Sequence, residues 1–115
     1  MTIEPIDFAD LNARAGGDQT LAREILGDLL VIVERERPLL REACRSRSFA
    51  DTARRVHRLR GSLLAVGAGW AARRALRVEE YANDQNGVDI DSSLTRFESA
   101  LDEAVSAIQK FLVQP

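Results

Sequence analysis

Apolar residues recur at helical spacing in four segments of the chain, and no segment shows the alternation expected of a β-strand. The first segment, residues 18–46, has the apolar positions Leu21, Ile25, Leu29, Ile32, Leu39, Leu40 and Ala43. Asp18 follows two glycines and is expected to cap this helix. Pro38 lies inside the segment and is expected to kink or locally break it. A shorter amphipathic segment, residues 7–15, precedes it.

Three more helices are expected after the first. The second spans residues 49–66 with the apolar stripe Phe49, Val56, Leu59, Leu63 and Val66, and Gly67 is its expected stop. The third spans residues 69–82 with the core positions Trp70, Ala71, Ala75, Leu76 and Val78. A turn-rich loop follows. The last helix is expected to begin near Asp91 and carries Leu94, Phe97, Leu101, Ala104, Val105, Ile108 and Leu112.

The packing of these helices determines the expected fold. None of them can bury its apolar stripe alone, so they must pack against one another. Short connections favour antiparallel neighbours. We therefore expect an all-α fold, an antiparallel four-helix bundle with a short extra N-terminal helix. It would be a single domain over residues 1–115 with its core in about residues 6–113.

Composition excludes several classes of function. The net charge of −2, from 16 basic and 18 acidic residues, gives no global argument for nucleic acid or an anionic membrane. No apolar stretch approaches the roughly 20 residues that span a bilayer, and the N-terminus does not resemble a signal peptide. With one cysteine, Cys44, and one histidine, the chain cannot form an internal disulfide and lacks the ligands of a standard zinc site. We therefore expect no metal, a packing role for Cys44 and a cytoplasmic location. The carboxylates Glu79, Glu80 and Asp84 are expected to be solvated.

His57 is the only histidine, and it lies roughly 130° from the centre of its helix's apolar stripe. The residues one and two turns away on its face are small or apolar: Ala50, Ala53, Gly61 and Leu64. Arg54 and Arg58 lie at the edges of this face. A solvated helix face more often carries long polar side chains, so these residues indicate a shallow patch that a partner covers.

Two neighbours support a chemical role for the imidazole. Gly61 costs about 0.5–1 kcal/mol of helix stability relative to alanine, and its missing side chain would let another surface approach the ring. Arg60 can bring a guanidinium, which pairs with phosphate oxygens, beside the ring. An exposed imidazole keeps a neutral, nucleophilic population near pH 7. A solvated histidine, a tolerated packing glycine and an ordinary surface arginine are the plainer interpretation of the same residues.

The run from His57 to Ser62, His-Arg-Leu-Arg-Gly-Ser, resembles the motif of histidine-containing phosphotransfer (HPt) domains, His-x-Leu-Lys-Gly-Ser. Gly67 matches a further family glycine ten positions after the histidine. The resemblance covers about residues 6–113, and the opening of the long helix at residues 21–26 looks like the HPt domains that end some hybrid sensor kinases. It implies a four-helix bundle with the histidine on the second core helix.

The resemblance also implies a role for each matched residue. His57 would accept and donate phosphate on a ring nitrogen, usually Nε2. Arg60 replaces the commoner lysine, Gly61 opens access to the ring and Ser62 helps to orient the site. Leu63 stands where many members have a second serine, and its helical position predicts that it faces the core. Such domains have no intrinsic kinase activity, so the chain would not be an enzyme by itself.

The implied partners are receiver domains of response regulators or hybrid sensor kinases. The receiver supplies the aspartate and the bound magnesium, so no cofactor is expected on this chain. The arginines of the second and third helices could steer an acidic receiver pocket rather than bind nucleic acid. A monomer is expected. Two alternatives remain: a helical adaptor that binds a receiver or kinase without accepting phosphate, and an unrelated helical interaction module.

Overall fold

The computed structural model describes residues 4–115. Within that range it contains five helices and no strand, which confirms the all-α prediction. The helices are α1 (Phe8–Arg14), α2 (Gln19–Arg45), α3 (Phe49–Ala65), α4 (Gly69–Asn83) and α5 (Gly87–Leu112). None of the helices in this range is long and apolar enough to cross a bilayer.

Side chains cap the starts of α1, α2 and α5 but not those of α3 and α4, and one start differs from the prediction. Asp18 caps α2 as predicted, because its carboxylate accepts a hydrogen bond from the Leu21 amide at 3.1 Å. The predicted start of the last helix at Asp91 is wrong. Asn86 caps α5 by accepting from the Asp89 amide at 3.1 Å, and the Asp91 carboxylate instead pairs with Arg47 at 2.8 Å.

Pro38 does not interrupt α2, which is one helix from Gln19 to Arg45. A proline removes one backbone hydrogen bond of the helix. The turns on both sides of Pro38 are anchored in the core, since Val33 and Leu40 are only 3% and 2% exposed. Tertiary packing therefore offsets the missing bond, and the expected local break does not occur.

One hydrophobic core joins the helices. Its largest fully buried side chains include Leu26 of α2, Leu63 of α3, Val78 of α4, and Phe97 and Leu101 of α5. Leu76, predicted to lie in the core, is instead 37% exposed, and the apolar positions Leu21 and Leu39 of α2 are 41% and 44% exposed. Each lies at the edge of its helix's apolar stripe, where the neighbouring helix covers it only in part.

The helix contacts place α3 and α4 side by side. α3 packs on α4, α4 on α5 and α2 on α3, while α2 and α5 touch more sparsely. Arg23, near the start of α2, donates to the carbonyl of Leu112 at the end of α5, and Arg47, two residues after α2, pairs with Asp91 near the start of α5. The start of α2 therefore lies near the end of α5.

The turn between α3 and α4 is fixed by Gly67. This residue has a φ of +78°, which a glycine adopts without strain. Its carbonyl accepts from the Asp7 amide at 2.8 Å, and a Cβ on Gly67 would lie 2.8 Å from the Asp7 carbonyl oxygen. Both the positive φ and the close approach of Asp7 therefore require glycine at this position. The hydrogen bond between Asp7 and Gly67 joins the start of α1 to the end of α3.

Candidate functional site

His57 lies on the flank of α3, between the buried side and solvent. Its neighbour Val56 is fully buried and Leu59 is 2% exposed, whereas the His57 side chain is 60% exposed. This placement agrees with the sequence pattern, which puts the imidazole off the apolar stripe. The ring is anchored to the fold on one edge and open to an approaching molecule on the other.

The anchor of the ring is Glu79 of α4. Oε2 of Glu79 lies 2.8 Å from Nδ1 of His57, and the Glu79 side chain is only 16% exposed. The prediction that Glu79 is a solvated carboxylate is therefore wrong. Glu79 follows the buried Val78 and lies on the side of α4 that meets α3. Glu80 and Asp84, which were grouped with it, are exposed as predicted.

This contact selects one tautomer of the neutral imidazole. An ionised carboxylate can only accept hydrogen bonds, so the proton of the neutral ring must lie on Nδ1, facing Glu79. The lone pair is then on Nε2. Within residues 4–115 His57 makes no other side-chain hydrogen bond, so Nε2 is available as a nucleophile.

The second oxygen of the same carboxylate is poorly satisfied. Oε1 of Glu79 is buried and has no hydrogen-bond partner among the described residues. The nearest cation is Arg60, whose Nε lies 3.9 Å away, beyond hydrogen-bonding distance. The Arg60 side chain is 26% exposed. Arg60 and His57 therefore share one carboxylate, and the guanidinium is held there only by a long-range attraction.

The surface around the ring is sparsely covered. Apart from the backbone of its own helix and its two chain neighbours, a Cβ added to Gly61 would meet no described atom within 4 Å, so the space one turn beyond His57 is open. Leu64 is 48% exposed on the same face. Ala50 is exposed and Ala53 is half-buried. We name Ala50, Ala53, His57, Gly61 and Leu64 the His57 patch.

The two arginines assigned to the edge of the His57 patch differ in their contacts. Arg54 is exposed and pairs with Asp51 one turn earlier in α3. Arg58 is exposed, and its side chain forms no ion pair within the described range. Arg58 is therefore the edge cation more available to a partner.

Ser62 lies away from the imidazole. It is roughly 140° from His57 around α3 and lines a shallow groove against Ile25 and Ile32 of α2. Its hydroxyl is 3.4 Å from the Arg58 carbonyl oxygen, to which it donates. The structure thus brings His57, Arg60 and Gly61 to one surface and leaves Ser62 on another. Leu63 is fully buried, as its helical position predicts.

The remaining titratable candidates form no second site. No cluster of histidine, cysteine, aspartate and glutamate able to hold a metal occurs in residues 4–115. Cys44 is buried, and burial raises the pKa of its thiol, with the Asp91 carboxylate adding to the effect. A thiol kept protonated in this way is a poor nucleophile. Cys44 is therefore a packing residue, as its position predicts.

No protein-family model matches this chain, and no curated protein or solved structure matches it either. An exposed imidazole with Nδ1 held by a carboxylate and Nε2 unoccupied can accept an electrophilic group and release it again.

Proposed function

We propose that this chain is a phosphotransfer domain of a two-component relay, in which His57 carries the phosphoryl group. The group arrives from the aspartyl phosphate of one receiver domain and leaves to the aspartate of another. The observation that supports this most strongly is the contact of Glu79 with Nδ1 of His57. It leaves the nucleophilic nitrogen on the exposed side of a ring whose surroundings are open.

The transfer step needs only groups that the two proteins bring together. The Nε2 lone pair attacks phosphorus, an N–P bond forms, and the P–O bond to the receiver's aspartate breaks, which releases that residue as a carboxylate. The imidazole becomes positively charged while Nδ1 keeps its proton. Glu79 stabilises this charge by accepting the Nδ1 hydrogen bond. Positioning and charge neutralisation are the main contributions in such transfers.

The proposed role of Arg60 is to neutralise the negative charge of the phosphoryl group. A phosphoryl group on Nε2 presents oxygens that a guanidinium binds with paired hydrogen bonds. At 3.9 Å from Glu79 the guanidinium makes no hydrogen bond that must be broken first. Arg60 is therefore available to the phosphorylated ring, and this is the role we assign to it.

The proposed function also implies a helix arrangement, a docking surface and a cellular location for the chain. We infer that α2–α5 form an antiparallel four-helix bundle of one domain, with α1 as a short extra helix. The His57 patch receives the receiver domain, Arg58 contacts its acidic surface, and the receiver brings the magnesium ion. The chain itself acts as a phosphocarrier in the cytoplasm, without kinase activity.

The proposal is tested by incubating the chain with a panel of receivers that carry radiolabelled aspartyl phosphate. We expect acid-labile, base-stable label on the wild-type chain and none on His57→Gln, whose folding is checked by circular dichroism. Because the chain has one histidine, any phosphohistidine is His57. Label retained by His57→Gln, or no label with any receiver, contradicts the proposal. Stable receiver binding without label would instead support the adaptor alternative.

A further inference from the structure

Beside the row that faces the core, α2 carries a second row of residues, three of which line a groove against α3. We name it the α2 seam, and it consists of Ile25, Asp28, Ile32, Arg35 and Leu39. Its spacing alternates between three and four residues, which is the repeat of a seam between two paired helices. The core-facing row of α2 has the same repeat one position later and is already covered by the other helices.

The apolar members of the α2 seam are incompletely covered within one chain. Leu39 is 44% exposed, and Ile25 and Ile32 are only partly buried at the edge of the core. Leu21 continues the row towards the N-terminus and is 41% exposed. Apolar side chains left partly uncovered next to charged ones are typical of protein-binding surfaces.

The two charges of the seam lie at nearly equal distances on either side of its centre, Ile32. Asp28 lies four residues before Ile32, and Arg35 lies three residues after it. Within the described residues Asp28 forms no ion pair, and Arg35 makes only a 3.7 Å contact with its neighbour Glu36 while remaining 64% exposed. Because the acid and the base lie at similar distances from the apolar centre, a second copy of the row in the reverse direction would bring each charge opposite its counterpart.

We propose that the α2 seam binds a second copy of this chain, with the two α2 helices antiparallel about a two-fold axis at Ile32. In that arrangement Ile32 faces its own copy. Asp28 of each chain faces Arg35 of the other. Ile25 of each chain faces Leu39 of the other. Every apolar position of the seam then meets an apolar position, and every charge meets its opposite.

The charge pattern also determines the direction and the size of the assembly. Parallel helices would bring Asp28 against its own copy and Arg35 against its own copy, and such like-charge pairs repel. A two-fold contact uses the same surface on both chains, so it closes at two copies. The seam is only about 21 Å long, from the helical rise per residue. A small interface of this kind gives a weak, concentration-dependent dimer, in contrast to the expected monomer.

The dimer leaves the proposed phosphotransfer site open. The side of α3 that borders the seam carries Ser62, whereas His57 lies on the side that meets α4. Both copies can therefore present the His57 patch at once. Dimerisation is also independent of the proposed function, because it is measured by the mass of the chain in solution and not by phosphate transfer.

The test is sedimentation equilibrium of the purified chain over a concentration series. We expect the average mass of the wild-type chain to rise from one chain towards two. Asp28→Arg puts arginine opposite arginine at two places, and Arg35→Asp puts aspartate opposite aspartate. Each single variant should weaken the dimer about tenfold, from the typical energies of such pairs.

The deciding experiment mixes the two variants in equal amounts. A heterodimer of Asp28→Arg and Arg35→Asp pairs arginine with aspartate at both places, so we expect its association to recover to the wild-type strength. Val88→Glu is the control, since Val88 is an 88% exposed apolar residue on α5 and its loss should not change the mass. A wild-type chain that stays monomeric at every concentration, or a mixture no heavier than its separate components, overturns the proposal.

Discussion

Two carboxylates are almost equally hidden in grooves between helices, yet their surroundings differ. The side chain of Glu79, between α3 and α4, is 16% exposed, and that of Glu98, between α5 and α2, is 19% exposed. Glu98 accepts from Nε of Arg37 at 3.1 Å and from Arg41 as well. Both partners are always charged and both donate to Oε1 of Glu98, so this carboxylate joins α5 to α2 through two fixed cations.

Glu79 has a different pair of neighbours. Within residues 4–115 its side chain makes one hydrogen bond, to His57 at 2.8 Å, while Arg60 stays at 3.9 Å and Oε1 has no partner. A partly buried carboxylate with spare accepting capacity costs stability. The comparison indicates that Glu98 serves the fold, whereas Glu79 is suited to a partner whose charge changes during function.

The largest expected effect is the loss of stability when the ion pairs of Glu98 are removed. Glu98→Ala leaves Arg37, whose side chain is only 19% exposed, with Asp102 at 2.7 Å as its remaining carboxylate. We expect a loss of about 2 kcal/mol in the free energy of unfolding, measured by urea denaturation. Glu79→Ala is the matched variant and should cost less than about 1 kcal/mol, because it also removes an unsatisfied buried oxygen. Equal losses would remove the distinction between the two sites.

The next effect is on transfer rather than folding. Glu79→Ala leaves the ring free to rotate and to adopt either tautomer, so single-turnover transfer from a phosphorylated receiver should slow about tenfold. Glu79→Gln should slow it less, since the amide oxygen still accepts from Nδ1. Glu80→Ala, an exposed neighbour on the same helix, is the control and should transfer at the wild-type rate. Unchanged rates for Glu79→Ala would contradict the orienting role.

A smaller effect is expected at Gly61, where alanine tests the stability of the helix and glutamine tests the docking of the receiver. Gly61 and Gly27 both lie inside helices with no atom within 4 Å of an added Cβ. Gly61→Ala and Gly27→Ala should each stabilise the fold by about 0.5–1 kcal/mol. Gly61→Gln should slow transfer by obstructing the receiver, while Gly27→Gln should not. Equal transfer rates for the two glutamine variants would show that the receiver docks elsewhere.

The smallest effect concerns an exposed ion pair that holds the loop between α2 and α3. Hydrogen bonding from Arg47 holds the pKa of Asp91 below its usual value. A lowered folded-state pKa stabilises the fold above the ordinary aspartate range, and this contribution is lost as the pH falls through the lowered pKa. Asp91→Asn should therefore lower the melting temperature at neutral pH by an amount worth less than about 1 kcal/mol. The difference from wild type should shrink in acid; a difference that persists there would contradict this assignment.

The sequence predicts much of this fold because apolar spacing sets which side of each helix is buried. That spacing correctly places Leu63 in the core and His57 outside it. The start of α5 was misplaced because Asn86 and Asp91 are both good capping residues. The choice between them depends on Arg47, which takes the Asp91 carboxylate and lies far from it in sequence.

The candidate site was only half predictable. His57, Arg60 and Gly61 belong to one helix, so their proximity follows from helical geometry. Glu79 comes from the neighbouring helix, and its contact depends on how α4 is rotated against α3. A signal was present, because Glu79 lies one turn after the buried Ala75 and next to Val78, at the edge of an apolar stripe. Such an edge carboxylate near a histidine-bearing helix is a pairing candidate.

The most direct test of the central claim is nitrogen-15 NMR of the His57 ring, recorded at a pH where the imidazole is neutral and again after transfer from a phosphorylated receiver. We predict the proton on Nδ1 in the free chain and the phosphorus on Nε2 in the phosphorylated chain. In Glu79→Ala the free ring should lose its preference for that tautomer. A proton on Nε2 in the wild-type chain, or phosphorus on Nδ1, would contradict the assignment of Glu79 as the group that sets the reactive nitrogen.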